Sequence, residues 1–326
     1  SVISELIKSD NLFGKGKLRH QYPHSWRSKA PLIFRNTPQW FISMEENDLR
    51  NKSLKAIEEV QWIPERGKNR IKSMVESRPD WVVSRQRAWG VPLAIFVNKK
   101  TGQPLKDQEV NERIAKSFEE KGSDAWFDIS SEEFLGDKYN ADEWEKVNDI
   151  LDVWFDSGST HAFVLEGVSG LGSPADLYLE GSDQHRGWFQ SSLLESCGTR
   201  GMAPFKQVLT HGFVMDKDGR KMSKSLGNVI LPDDLIDQYG ADVVRLWVVS
   251  SDFTEDLRVG QDIMKANVES YRKIRNTFRF LLGNLDNFKD EEILPYSEMP
   301  ELEKYIPVSY THLRAHETSL HLVCRL

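Results

Sequence analysis

The feature that most constrains this chain is a run from residue 175 to 251 in which strand, helix, strand, loop and helix follow without a gap. ADLYLEG, 175–181, reads as a strand that runs through SDQH into the helical RGWFQSSLLESCGTRG, closed by Gly198 or Gly201. A second strand-like run, KQVLTHGFVM, leads through the loop DKDGRKMSKSLGN to LPDDLIDQYGADVVRLWVVSS, a helix with Pro232 at its start. This order is half of a doubly wound α/β sheet, and such sheets bind nucleotides outside the carboxyl ends of their strands.

The rest of the chain fits around that unit. SVISELIKSD begins as a short helix and is followed by the basic, turn-rich KLRHQYPHSWRSKAP. From Pro31 to Val97, the β-rich runs LIFR and WVVSR alternate with a helical LRNKSLKAIEEV. Between Asn98 and Asn148 the composition turns charged and irregular, the mark of a surface insertion. Beyond Gly260, QDIMKANVESYRKIRNTFRFLLGNL is a long amphipathic helix with Arg and Lys grouped on part of its surface.

Composition bounds the function. The longest apolar runs fall well short of a membrane span, and 39% hydrophobic residues suit a soluble globular protein. Two cysteines, Cys197 and Cys324, make neither a disulfide framework nor a four-ligand zinc site, which points to a reducing compartment, the cytoplasm. A net charge of −7 excludes a protein that coats nucleic acid through general phosphate neutralisation, so such a partner must meet local basic patches.

Three constellations carry chemistry. Lys221-Met222-Ser223-Lys224-Ser225, between Gly219 and Gly227, sets two ammonium groups and two hydroxyls on a loop fit to close on a polyphosphate; the alternative is an exposed basic loop. Tyr178 to Phe189 carries Glu180, which can accept hydrogen bonds from a ribose or amino group, and Gly181, which lets a ligand approach the backbone. Ser182, Asp183 and Gln184 follow at a helix start, where they serve a ligand or merely cap. Leu151 to Ser159 carries Trp154; with Trp188 it supplies two flat indoles, suited to a narrow apolar slot or to the core. Arg85, Arg87 and His211 serve phosphates or the nucleotide, or are structural.

The KMSKS run, preceded by LTHGFVMDKDGR and followed by LGNVI, a proline and a helix, resembles the second catalytic motif of class I aminoacyl-tRNA synthetases. YLEGSDQHRGWF resembles the isoleucyl branch rather than the valyl or leucyl ones, and LDVWFDSGS the isoleucyl form rather than the valyl; SWRSKAPLIFRNTPQWF and DWVVSRQRAWGVP resemble further segments of the family. The resemblance implies a Rossmann-type catalytic domain and activation of isoleucine by ATP with Mg²⁺. It further implies transfer of the acyl group to tRNA(Ile), by a monomer. It assigns Lys221 and Lys224 to catalysis, and Lys224, Ser223 and His211 to ATP. Glu180, Gly181, Asp183 and Gln184 would line the adenylate site, and Trp154 and Trp188 would wall the aliphatic slot. The alternatives are a valyl or leucyl relative, or a nucleotide- or tRNA-binding module without catalysis.

The implied domains are the end of an editing insertion, 1–30, and the catalytic domain in two parts, 31–97 and 151–259, split by a connective insertion, 98–150. The start of a helical anticodon-binding domain follows at 260–306. The family's His-Ile-Gly-His motif, most of its editing insertion and its C-terminal cysteine cluster are not in this sequence, so the chain alone is expected to be inactive. From Pro307 the sequence departs from the family and is expected to be a non-native tail, 307–326.

Overall fold

A computed structural model of the chain describes residues 2–25, 28–223 and 226–305. Two compact units divide after Trp40, ten residues beyond the boundary expected from sequence. In the first, α1 (Val2–Lys8) is followed by extended chain that folds back once, through a bridge between His24 and Pro31 and a 2.7 Å bond from the Tyr22 hydroxyl to the Leu32 carbonyl. LIFR, expected as a strand, forms none. Its β-branched and aromatic residues stay exposed, because strand propensity is realised only against a partner strand.

The second unit opens with α2 (Leu49–Glu59), whose Leu49, Ser53, Ala56 and Ile57 recur at helical spacing and are buried. It leads into β1 (Gln61–Ile63) and α3 (Arg66–Glu76), which buries Gly67, Ile71 and Val75. WVVSR becomes two short strands that pair antiparallel, Trp81–Val82 with Phe41–Ile42 and Ser84–Arg85 with Ile150–Leu151.

The region expected to be irregular has a core of its own. Phe96–Asn98 pairs antiparallel with Trp144–Lys146, and between them α4 (Gln108–Lys121) is capped by Asp107, which accepts the Glu109 and Val110 amides at 2.9 and 3.2 Å. Phe96, Trp126 and Phe134 meet at the centre, buried. The charged residues that disguised this unit are the solvent face of a small helical layer.

Next come α5 (Val153–Gly158), β2 (Tyr178–Gly181), α6 (Trp188–Arg200) and β3 (Gln207–His211). The three strands form one parallel sheet in the order β1, β3, β2, with Val208 facing Trp62 on one side and Tyr178 on the other. α6 ends at Gly201, whose φ of 75° closes it as a left-handed cap. It is buried on most sides, and serines at 191, 192 and 196 let neighbouring backbone come close where an apolar stripe alone would not. Each fully buried Phe or Leu here, such as Phe189 and Leu193, contributes about 1.5–3 kcal/mol.

KQVLTHGFVM breaks at Gly212, whose bare Cα passes the backbone of Glu255 and Asp256; Val214–Met215 then pairs parallel with Leu257–Arg258. The helix expected after Pro232 is two, α7 (Pro232–Tyr239) and α8 (Ala241–Val249), because Gly240 turns between them at φ 88°. α9 (Gln261–Asn284) follows, and Val243, Trp247, Val259 and Met264 form the core it shares with α8. Among the described residues, no helix is long and apolar enough to cross a membrane.

Candidate active site

β1, β2 and β3 are parallel, so their carboxyl ends lie on one side, at Ile63, Gly181 and His211. A cavity of about 330 Å³ opens there, lined among others by Arg66, Ser182, His185, Thr210 and His211. His211 Nδ1 lies 2.8 Å from the Gly212 carbonyl. Arg66 closes the rim by pairing with Glu255 at 2.9 Å. Burial pushes the His185 imidazole below its ordinary value, and its Nε2 is buried without a protein partner.

Glu180 is exposed at the end of β2, its Oε2 accepting the Gly181 amide at 3.3 Å. A Cβ at 181 would stand 2.8 Å from the Asp183 carboxylate, which would have to turn aside. Gln184 accepts the Trp188 amide at 3.0 Å and so caps α6, while its amide nitrogen reaches Asp183 at 3.4 Å. Gln184 therefore has a capping role whatever else it does.

A second cleft, about 310 Å³, lies between the DWVVSR segment and the helices α5 and α6; Arg78, Asp80, Trp81, Arg85, Trp154 and Gln190 are among its walls. Trp154 is 45% exposed and its ring lies over the bare Cα of Gly187. Asp152 caps α5, accepting the Trp154 amide at 3.5 Å, and pairs with Arg85 at 2.9 Å. Arg78 stands over the Trp81 ring, 5.4 Å from its centroid, and donates to Gln190; burial lowers its pKa while Asp152 opposes that shift.

Trp188 is not part of that cleft's lining. It stacks on Tyr178, ring centroids 4.1 Å apart and 7° from parallel, and its indole N–H donates to the Ser157 carbonyl at 3.0 Å. Of the two indoles singled out in the sequence, the structure turns Trp154 to the cleft and sets Trp188 behind it.

Lys224 and Ser225 lie outside the described residues. Around them, Lys221 bridges to Met215 and sets its ammonium 5.2 Å from the Phe213 ring centroid; the Ser223 amide donates to Asn228 at 2.9 Å. Asn228 in turn donates to Asp216 at 2.9 Å, and Asp216 also accepts the amides of Asp218 and Arg220. These hydrogen bonds, that from Asn228 first, hold the Asp216 carboxyl down to about 2. Sequence reasoning missed this brace, although Asp and Asn bracketing a glycine-containing loop is the available signal. It also missed Arg78, Asp80 and Gln190, which no motif spacing marks.

The family model for tRNA synthetases class I (I, L, M and V) matches residues 8–260. The chain belongs to the class I tRNA synthetases. The synthetase is 59% identical over 308 residues to an isoleucine–tRNA ligase of Pelagibacter ubique, covering 94% of this chain and 34% of that one. It is 58% identical over 310 residues to one of Mesorhizobium japonicum, covering 93% and 31%. It thus spans about a third of the length of the curated relatives it matches. A crystal structure of Mycobacterium tuberculosis methionyl-tRNA synthetase bound by methionyl-adenylate shares the fold, with a TM-score of 0.58, 16% identity and coverage of 92% of the synthetase and 52% of that chain.

Proposed function

We propose that this segment carries half of the active site of an enzyme that activates isoleucine with ATP and passes it to tRNA(Ile). The carboxylate of isoleucine attacks the α-phosphorus of ATP and pyrophosphate leaves, giving isoleucyl-adenylate; a hydroxyl of the terminal ribose of the tRNA then takes the acyl group and AMP departs. Mg²⁺ comes with ATP as part of the substrate and offsets phosphate charge. Little covalent work falls to side chains, and positioning and electrostatics carry the rate. Glu180, Gly181, Asp183 and Gln184 receive the adenylate at the carboxyl end of β2, with His211 and Ser223 beside the nucleotide. Lys221 and Lys224 match the charge that builds on pyrophosphate. Trp154 forms a wall of the aliphatic slot and Trp188 backs it. The enzyme acts as a monomer in the cytoplasm.

The observation that supports this reading most is the end of β2, where Gly181 leads into Ser182 and His185 at the wall of an open cavity, within a run that resembles the isoleucyl branch. Amino-acid-dependent pyrophosphate exchange by a full-length enzyme containing these residues tests it. Isoleucine should be preferred over valine and leucine, and Lys224→Ala should lower kcat far more than it raises KM for isoleucine. A preference for valine or leucine, or no exchange at all, would overturn it.

A further inference from the structure

One face of α6 holds α5 through three successive positions, 188, 192 and 195, which helical spacing brings into line. The Trp188 indole donates to the Ser157 carbonyl at 3.0 Å, and the Ser192 hydroxyl donates to the Gly158 carbonyl at 2.7 Å. At the third position the Glu195 carboxyl rests against Gly158, where a Cβ would collide with its Oε1. That oxygen is buried and has no protein partner. Trp154 rides on the same short helix, so whatever sets the depth of Gly158 on α6 also sets the ring that walls the cleft.

We propose that Glu195 is a positioning residue for amino-acid selection: its carboxyl, packed against Gly158, seats α5 on α6 and thereby fixes the Trp154 wall. The inference rests on the function proposed above. Negative charge on the buried Oε1, which has no donor, is unfavourable, whereas the protonated acid fits the same space without that penalty. Burial pushes Glu195 up to about 8, the charge of Asp156 on α5 adds to this, and Arg200 on α6 opposes it. Arg200 is itself engaged by Glu166 through two 2.6 Å bonds. His161, also at Gly158, keeps Nδ1 2.9 Å from the Gly158 carbonyl and is held below its ordinary pKa by burial, while the Tyr178 hydroxyl on β2 is held above its own by burial first, with the charge of Glu195 adding to it. Once ionised, the Glu195 carboxylate seeks water or Arg200, and the end of α5 loses its seat.

The test is isoleucine- and valine-dependent pyrophosphate exchange by the full-length enzyme across pH values bracketing 8. The ratio of the two kcat/KM values cancels ionisations that affect both substrates alike. For the unaltered enzyme the ratio should fall about tenfold as pH rises through that value, within the range one methylene supplies, through KM for isoleucine and not KM for ATP. Glu195→Gln, a neutral amide of the same shape, should hold the ratio flat across the range, and Glu195→Ala should show the low ratio at every pH. A Glu195→Gln profile that falls like the unaltered one overturns the proposal, and decides the matter even if Glu195→Ala does not fold. A Glu195→Ala enzyme that loses only thermal stability, its ratio intact, also overturns it. Absence of isoleucine-dependent exchange in the unaltered enzyme would instead remove the function on which the inference stands.

Discussion

At Gly187 an added methyl would stand 2.7 Å from the Trp154 ring and 2.6 Å from the Gln184 carboxamide oxygen. The Gln184 oxygen retreats only by giving up the Trp188 amide that it caps, and the Trp154 ring must swing aside in the cleft. Gly187→Ala should therefore raise KM for isoleucine about tenfold or more in steady-state exchange assays and leave KM for ATP nearly unchanged, because a shift of about 1 Å in a positioning group costs up to about a hundredfold. Charged residues make a second prediction, of opposite signs at the two ends of the pH scale. Glu58, hydrogen-bonded by Lys68 and Lys72, is held down to about 2, and Asp107, bonded by Lys138 and Tyr139, is also held well below its ordinary value. The stability they contribute is present above about pH 4 and is lost as pH falls. Glu195 is raised, so its contribution is full below 4.5 and is lost as pH rises through about 8. Urea midpoints measured against pH should show the acid loss shrink in Asp107→Asn and the loss toward alkaline pH shrink in Glu195→Gln. Lys221 and Gly181 stand out in the sequence because a local motif surrounds each. Gly187 facing Trp154, and Gly158 facing Glu195, do not, because their partners lie 33 and 37 residues away and nothing local encodes the meeting.

Helices and strands were legible where periodicity and flanking turns agreed, as for α2, α6 and β3, and missed where one signal stood alone. LIFR had propensity without a partner strand. The stretch from 98 to 148 supplies Trp126 and Phe134 to a buried aromatic trio with Phe96, scattered among charges that masked its period. Phe134→Ala should cost about 3–5 kcal/mol within that layer. Hydrogen exchange should show the amides of α4 lose protection while those of β3 keep theirs, as expected of a layer with its own core. The division between α7 and α8 follows from one residue, since φ 88° with ψ 149° at Gly240 is a conformation closed to side-chain-bearing residues. Gly240→Ala should cost about 1–3 kcal/mol in denaturant unfolding, not a gain from joining two helices into one.

For the molecule as a whole, the doubly wound order was readable because strand, helix and strand follow in sequence. The entry of β1 between distant segments was not, since β1 pairs with β3 across 146 residues. Among the described residues the outer strands β1 and β2 each pair only with β3. The chain by itself should therefore give no isoleucine-dependent pyrophosphate exchange above that of its Lys224→Ala variant, while a full-length enzyme containing it should. The antiparallel pair of Phe96–Asn98 with Trp144–Lys146 has a different implication. Asn98 lies opposite Trp144, so the chain leaves the catalytic layer and returns to it within about 5 Å, the spacing of neighbouring strands. Everything from 99 to 143 hangs on that stem and is also tied to it, since Trp126 and Phe134 bury Phe96 and the Trp126 indole donates to the Val147 carbonyl at 2.9 Å. Lineages that exchange this layer must keep an apolar cover for Phe96, whereas an engineer could graft a sensor at the exposed turn of residues 99–102 and leave that core in place.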